Sequence, residues 1–97
     1  MSPTALTLRK LRADGCLAAV VEKWNPHARV RQDLFGFIDI VAIVPGGVGV
    51  LGVQACVTGD IMKRVAKCRA APLAQNVRRW REAGNAYVVW GWAKRGP

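Results

Sequence analysis

The stretch from Arg31 to Thr58, RQDLFGFIDIVAIVPGGVGVLGVQACVT, most limits what this chain can fold into. Phe37 to Val44 is almost wholly apolar and rich in β-branched residues, with one acid, Asp39, inside it. Gly49 to Thr58 is a second apolar run with one polar side chain near its middle, Gln54. Short apolar runs of this kind read as buried strands. Between them Pro45-Gly46-Gly47 signals a turn, and Gly-Gly suits a two-residue hairpin because both positions accept positive φ. With Gly46 and Gly47 as the loop, Pro45 faces Val48 and Asp39 falls directly opposite Gln54. Opposite residues share a face, with Cβ atoms roughly 5 Å apart, and Cys56, two residues past Gln54, points to that face as well. Two readings of this pair stay open. It is a buried Asp–Gln hydrogen bond tying the strands together, or it is part of a site, because a buried carboxylate is costly unless paired or metal-bound.

The rest of the chain supplies a frame for the hairpin. Ser2 followed by Pro3 is a helix start, Leu8 and Leu11 can share a buried stripe, and Gly15 is a helix stop. Arg9, Lys10 and Arg12 lie off that stripe, as a solvated face or as phosphate contacts. Cys16 to Trp24 reads as a first strand, with Glu22 close to its end. Glu22 is a solvated strand-end acid or, if this strand pairs with the Asp39 strand, a neighbour of Asp39. Asn25-Pro26 marks a turn, and the loop after it carries His27, Arg29, Arg31 and Asp33. The arginines are candidates for phosphate contact. His27 reads as a surface or supporting residue, and Asp33 either caps the turn into the next strand or lies near the site.

After the hairpin, Gly59-Asp60 opens a helix to about Ala70, with Ile61, Val65 and Cys68 as its apolar stripe and Lys63, Arg64 and Lys67 on its exposed side. Pro72 can begin a further helix with Leu73, Val77 and Trp80 facing inward, and Gly84 stops it. Asn85 to Trp92 is a last strand, on which Trp90 and Trp92 share a face. They are core or dimer-interface residues, or platforms for stacking bases. Lys94 and Arg95 form a basic tail.

The expected order is αβββααβ. Short connections let the first three strands run as an antiparallel meander, and the last strand, reached by a helical crossover, lies parallel to the third. The class is α/β: one domain over residues 1–97, with a mixed four-stranded sheet flanked by helices. Ninety-seven residues, 52% of them hydrophobic, suit a single modest core. Ile38 to Val57 approaches the length of a membrane span, but Asp39, Gln54 and the Pro-Gly-Gly break make it a poor one. The first residues lack the apolar segment of a secretory signal. Cys16, Cys56 and Cys68 form no C-x-x-C pair, so reduced core cysteines in a cytoplasmic protein are expected rather than disulfides or a zinc knuckle. Fifteen basic and six acidic residues give a formal charge of +9, and a small basic domain points to a polyanion, nucleic acid first.

Gly36-Phe37-Ile38-Asp39 on one strand, followed by Gln54-Ala55-Cys56 on the next and then a helix, resembles the PD-(D/E)XK nuclease superfamily. The likeness is strongest over residues 31 to 58 and, in element order, covers nearly all of the chain. It is closest to small phage-type resolvases and VRR-type nuclease-like proteins. The family pattern has Glu/Asp-x-Lys where this chain has Gln-x-Cys. The resemblance implies a restriction-endonuclease-like core, a bacterial or phage-infected cytoplasm and a Mg2+- or Mn2+-dependent endonuclease acting on DNA, with branched structures such as a Holliday junction among its candidate substrates. Asp39 would be the central metal ligand, with Gln54 at the second carboxylate position, the Ala55 backbone carbonyl beside it and Glu22 as an added early acid. Cys56 stands at the lysine position, and Lys63 or Lys67 from the following helix would take over that duty. Arg29, Arg31, Lys63, Arg64 and Lys67 would contact the DNA backbone, and a homodimer formed through the last strand or helix would place two sites on one DNA. Loss of both residues of the second half-motif also fits a module that keeps the fold and binds nucleic acid without cutting it. A third reading is a small interaction protein whose basic faces bind an acidic partner.

Overall fold

The computed structural model describes residues 1–93, so the basic tail at Lys94 and Arg95 lies outside the described residues. Helix α1, Pro3–Ala13, starts where the sequence places it: Ser2 is extended and its Oγ accepts the Ala5 amide at 3.1 Å. It ends at Asp14 and Gly15, the latter with φ +87°. Leu11 and Thr7 are its buried residues. The Thr7 hydroxyl donates to the Pro3 carbonyl at 2.8 Å and accepts the Trp92 indole N–H at 2.7 Å. A polar residue thereby pins α1 to the last strand without leaving an unsatisfied group.

The main sheet contains β1 (Leu17–Val20), β4 (Ile40–Ile43), β5 (Leu51–Val57) and β6 (Ala86–Trp92), in the spatial order β1-β4-β5-β6. β1, β4 and β5 are antiparallel neighbours and β6 runs parallel to β5, as the crossover rule requires. The hairpin register is the one read from the sequence, with Ile40 opposite Val53, Val41 opposite Gly52 and Ala42 opposite Leu51. The turn is different. The strands end at Ile43 and begin again at Leu51, so residues 44–50 form a longer loop in place of a two-residue hairpin. Docking explains it: Asn85 Oδ1 accepts the Val50 amide at 2.9 Å, and Gly49, at φ +75°, packs so closely on the Gly84 carbonyl that a Cβ would collide with it. The α3–β6 turn draws this loop away from the ladder.

The expected first strand is also interrupted. β1 stops at Val20, and the chain leaves the sheet at Val21 and Glu22. It then forms β2 (Lys23–Asn25), which pairs with β3 (Val30–Gln32) in a separate two-stranded ribbon, so part of the expected loop is a strand. Asn25 Oδ1 accepts the His27 and Ala28 amides at 3.0 and 3.1 Å and sets the turn. The ribbon's side chains are almost all exposed, and it has no apolar face to bury in the main sheet.

Beyond β5 a 3-10 turn, Thr58–Asp60, leads into α2, Ile61–Arg69, and then α3, Leu73–Glu82. Pro72 caps α3 instead of forming its first turn. Alternation along β4 and β5 sends side chains to two cores. Leu11, Ala18, Ile40, Ala42 and Val53 cluster on the α1 side. Phe37, Ile38, Cys68 and Val77 cluster on the α2–α3 side, with Trp80 and Tyr87 against them. Trp90 packs on the α1 core, and Trp90 and Trp92, both half-buried, stack on each other with centroids 6.0 Å apart. The three cysteines are free, and among the described residues no helix is long and apolar enough to cross a membrane.

Candidate metal centre

Two chain reversals bring three acids together. The first is the turn Leu34–Phe37, in which Phe35 and Gly36 both have positive φ, +55° and +86°. The Phe37 amide donates to Leu34 O at 3.2 Å, and Leu34 pairs with Ile38 across the turn. This is the primed turn that matches strand twist. Asp33 lies one step outside the Leu34–Ile38 bridge and therefore opposite Asp39. The second reversal is the β1–β4 pairing. Val20 faces Ile40, and the Val21 amide donates to the Asp39 carbonyl at 2.8 Å, which leaves Glu22 beside Asp39 where the chain departs from the sheet. Glu22, Asp33 and Asp39 each present a carboxylate oxygen, all within 4.8 Å of one another, and together they could hold a metal ion.

Asp39 is 5% exposed, while Glu22 and Asp33 are half-buried. The Asp39 amide still donates to Val53 O at 2.9 Å, and its carboxylate Oδ2 accepts the Ala55 amide at 2.8 Å. Burial is the main force on this group and pushes the Asp39 carboxyl up to about 8. The hydrogen bond with Asp33 adds to the rise, the Ala55 amide opposes it, and the charges of Asp33 and Glu22 push it further. Three oxygen donors at this spacing suit a hard divalent cation, which would relieve the mutual repulsion. The donor set fits the ion that the resemblance implies.

Gln54 plays a part different from either sequence reading. The expected facing pair is not formed: the β4–β5 ladder begins at Ile40 opposite Val53, Asp39 is a bend just outside it, and Gln54 makes no hydrogen bond to Asp39. Its Nε2 donates to Asp33 Oδ2 at 3.1 Å, and its Oε1 accepts the Tyr87 hydroxyl at 3.0 Å. Tyr87 Oη in turn lies 3.0 Å from Cys68 Sγ. With its one proton given to Gln54, the Tyr87 oxygen accepts from the Cys68 thiol. A relay of buried groups from α2 through β6 and β5 thus ends on Asp33 and aims it. Burial keeps the Tyr87 hydroxyl protonated by pushing its pKa far up, so it remains a donor.

The expected residues sort by location. Asp39, Glu22 and Ala55 line one cleft of about 530 Å³, together with Asp33, Arg31 and Arg64. The group Ala55 is seen to commit to the acids is its amide, through Asp39. Arg31 Nη1 lies 3.4 Å from Glu22 Oε1. Arg64 enters the cleft from α2, whereas Lys63, one residue earlier, is exposed and does not line it. Lys67 borders a shallow depression next door, with Arg31, Asp33, Phe35 and Gly36. Arg29 sits in the ribbon turn with φ +53° and does not line the cleft. Cys56 is buried and does not line the cleft. Burial pushes its thiol up while the Arg64 charge pulls it down, and Asp60 and Asp39 push it up again. Position 56 therefore supplies no cation to the cleft, and the cations that line it with the acids are Arg31 and Arg64.

Asp33, left open in the sequence as a turn cap or a neighbour of the site, belongs to the site, and Tyr87 is the residue that reading the sequence missed. Asp33 carried a signal in the Phe35-Gly36 pair between it and Asp39, but Phe is a rare occupant of a positive-φ turn position. Tyr87 carried none, since its role exists only once β6 lies beside β5. The chain matches no protein-family model, no curated protein and no solved structure.

Proposed function

We propose that this protein is a divalent-metal-dependent nuclease that hydrolyses phosphodiester bonds in DNA. The observation that carries the reading is the convergence of Glu22, Asp33 and Asp39 in one cleft with Arg31 and Arg64. Glu22, Asp33 and Asp39 would hold Mg2+ or Mn2+, and the ion would supply activation of a water and neutralisation of charge at phosphorus. The Ala55 amide fixes Asp39, and Gln54, backed by Tyr87, fixes Asp33. Arg64 and Arg31 bind the non-bridging phosphate oxygens, for which a guanidinium fork is well shaped. Arg64 thereby takes the electrostatic duty that a strand lysine would have had at position 56. Lys67, and further out Lys63 and Arg29, track the backbone by charge alone. β6 forms one edge of the sheet, and pairing of two such edges would build the homodimer.

A second reading is a nucleic-acid-binding module that does not cut. It is favoured by one observation: position 56 is a buried neutral thiol and Gln54 is occupied at both ends, so neither supplies a charged group to a phosphate.

Labelled duplex, single-stranded and four-way-junction DNA, incubated with Mg2+ or Mn2+ and with wild type or Asp39→Ala, separates the two. Cutting that needs the metal and disappears in the variant is the expected result. Salt-sensitive binding without cutting under either metal would leave the binding module standing.

A further inference from the structure

Between Glu22 and Asp33, two of the three acids, the chain forms the β2–β3 ribbon, and that ribbon contains no acidic residue while carrying Lys23, Arg29 and Arg31. Trp24 is 57% exposed on it, in contrast to Trp90 and Trp92, which stack together on the α1 side. In the ribbon register Trp24 lies directly opposite Arg31, so the two side chains share a face. Arg31 is also the residue that reaches Glu22 and lines the acidic cleft. An exposed indole is thus placed one side chain away from the cleft, on β2, next to the turn that Asn25 sets.

We infer that Trp24 is a stacking platform for an unpaired base next to the phosphate in the acidic cleft, making the ligand a single-stranded or splayed nucleic acid. The inference rests on the nucleic-acid reading above and deepens it. An indole face stacks on any base, and Arg31 beside it neutralises the adjoining phosphate. Bases inside a duplex have both faces covered by their neighbours, so Trp24 finds a free partner only where pairing is broken. The positive charge of the ribbon suits a phosphate chain and opposes a cationic or purely apolar partner.

The test is fluorescence anisotropy at low salt in EDTA, with a fluorescein-labelled single strand and with a closed, fully paired dumbbell duplex of the same sequence. Wild type should prefer the single strand. Trp24→Ala should weaken single-strand binding about ten-fold or more while leaving the dumbbell unchanged, and Trp24→Phe should restore most of the loss. Equal weakening on both ligands, or no weakening on either, overturns the platform and leaves the nuclease reading intact. Failure of wild type to bind either ligand overturns both readings together. Because Trp24 is exposed and outside both cores, an unchanged thermal midpoint separates loss of stacking from loss of fold.

Discussion

Gln54 holds Asp33: the amide Nε2 lies 3.1 Å from the carboxylate Oδ2, although the two residues are 21 positions apart. The side chain at the second position of the motif therefore aims an acid contributed from elsewhere. Replacing it tests this arrangement. Gln54→Leu leaves Asp33 Oδ2 and the Tyr87 hydroxyl without these partners, and about 1–3 kcal/mol of stability should be lost. Mn2+ affinity, followed by calorimetry, should fall about 10- to 100-fold, as when a ligand loses the group that orients it. Unchanged stability and Mn2+ affinity would show the bond to be incidental.

Tyr87→Phe removes the hydroxyl in the middle of the relay, between Cys68 Sγ and Gln54 Oε1. Gln54 Oε1 loses its donor, and stability should drop by about 1 kcal/mol in urea denaturation. The effect should shrink in the Gln54→Leu background, because the two side chains act through one bond. Full additivity of the two losses would contradict the relay.

The raised Asp39 carboxyl makes stability depend on pH. With a folded-state value of about 8, against 3.8 for an ordinary aspartate, the folded protein binds more protons than the unfolded chain between these values. Stability in EDTA should therefore decline as pH rises from about 4 to about 8 and level off above. Asp39→Asn, which keeps an acceptor for the Ala55 amide, should flatten that decline. Added Mg2+ or Mn2+ must displace the proton, so stabilisation of wild type by metal should grow with pH up to about 8. Urea midpoints measured from pH 5 to 9, with and without metal, read all of these slopes. A wild type that gains stability over this range without metal would be inconsistent with a protonated Asp39.

Arg64 and Lys63 are neighbours in sequence with different surroundings: Arg64 lines the acidic cleft and Lys63 does not. On the nuclease reading, Arg64→Ala should lower the single-turnover cleavage rate about 100-fold, the scale of losing one preorganised charge at a reacting phosphate. Lys63→Ala should alter only the salt dependence of binding. Equal effects of the two substitutions would make Arg64 a general phosphate contact.

Gly36 is required twice, by its φ of +86° and by the Leu73 side chain, which a Cβ would strike. Gly36→Ala should cost more than about 1 kcal/mol. It should also weaken Mn2+ binding, since this turn sets Asp33 opposite Asp39. A variant that loses stability but binds Mn2+ as wild type does would show that Asp33 is placed without the turn.

The element order and the central register were legible before any coordinates. β-branched runs, helix caps and glycine stops are local signals, and the turn at Gly46-Gly47 gave the pairs from Ile40–Val53 to Ala42–Leu51, but a bend at Asp39 ends the ladder before the expected Asp39–Gln54 pair. The hairpin loop was misjudged because its length depends on Gly84 and Asn85, which contact it only after β6 is laid beside β5. The ribbon was misjudged because β2 continues the pattern of β1, and only the competition between pairing with β4 and pairing with β3 ends the strand at Val20.

For the site, the sequence by itself determined that an acid lies buried at one end of the hairpin, because an apolar run containing a lone carboxylate has few other ways to fold. It also determined an excess of positive charge around that acid. Which other acids join Asp39, which cations face them and what Gln54 does were decided only by the tertiary structure. Glu22, Asp33, Arg64 and Tyr87 come from four separate elements, and their meeting depends on a chain departure, a positive-φ turn, a helix azimuth and a parallel strand pairing. These are long-range outcomes of packing, and no local period encodes them.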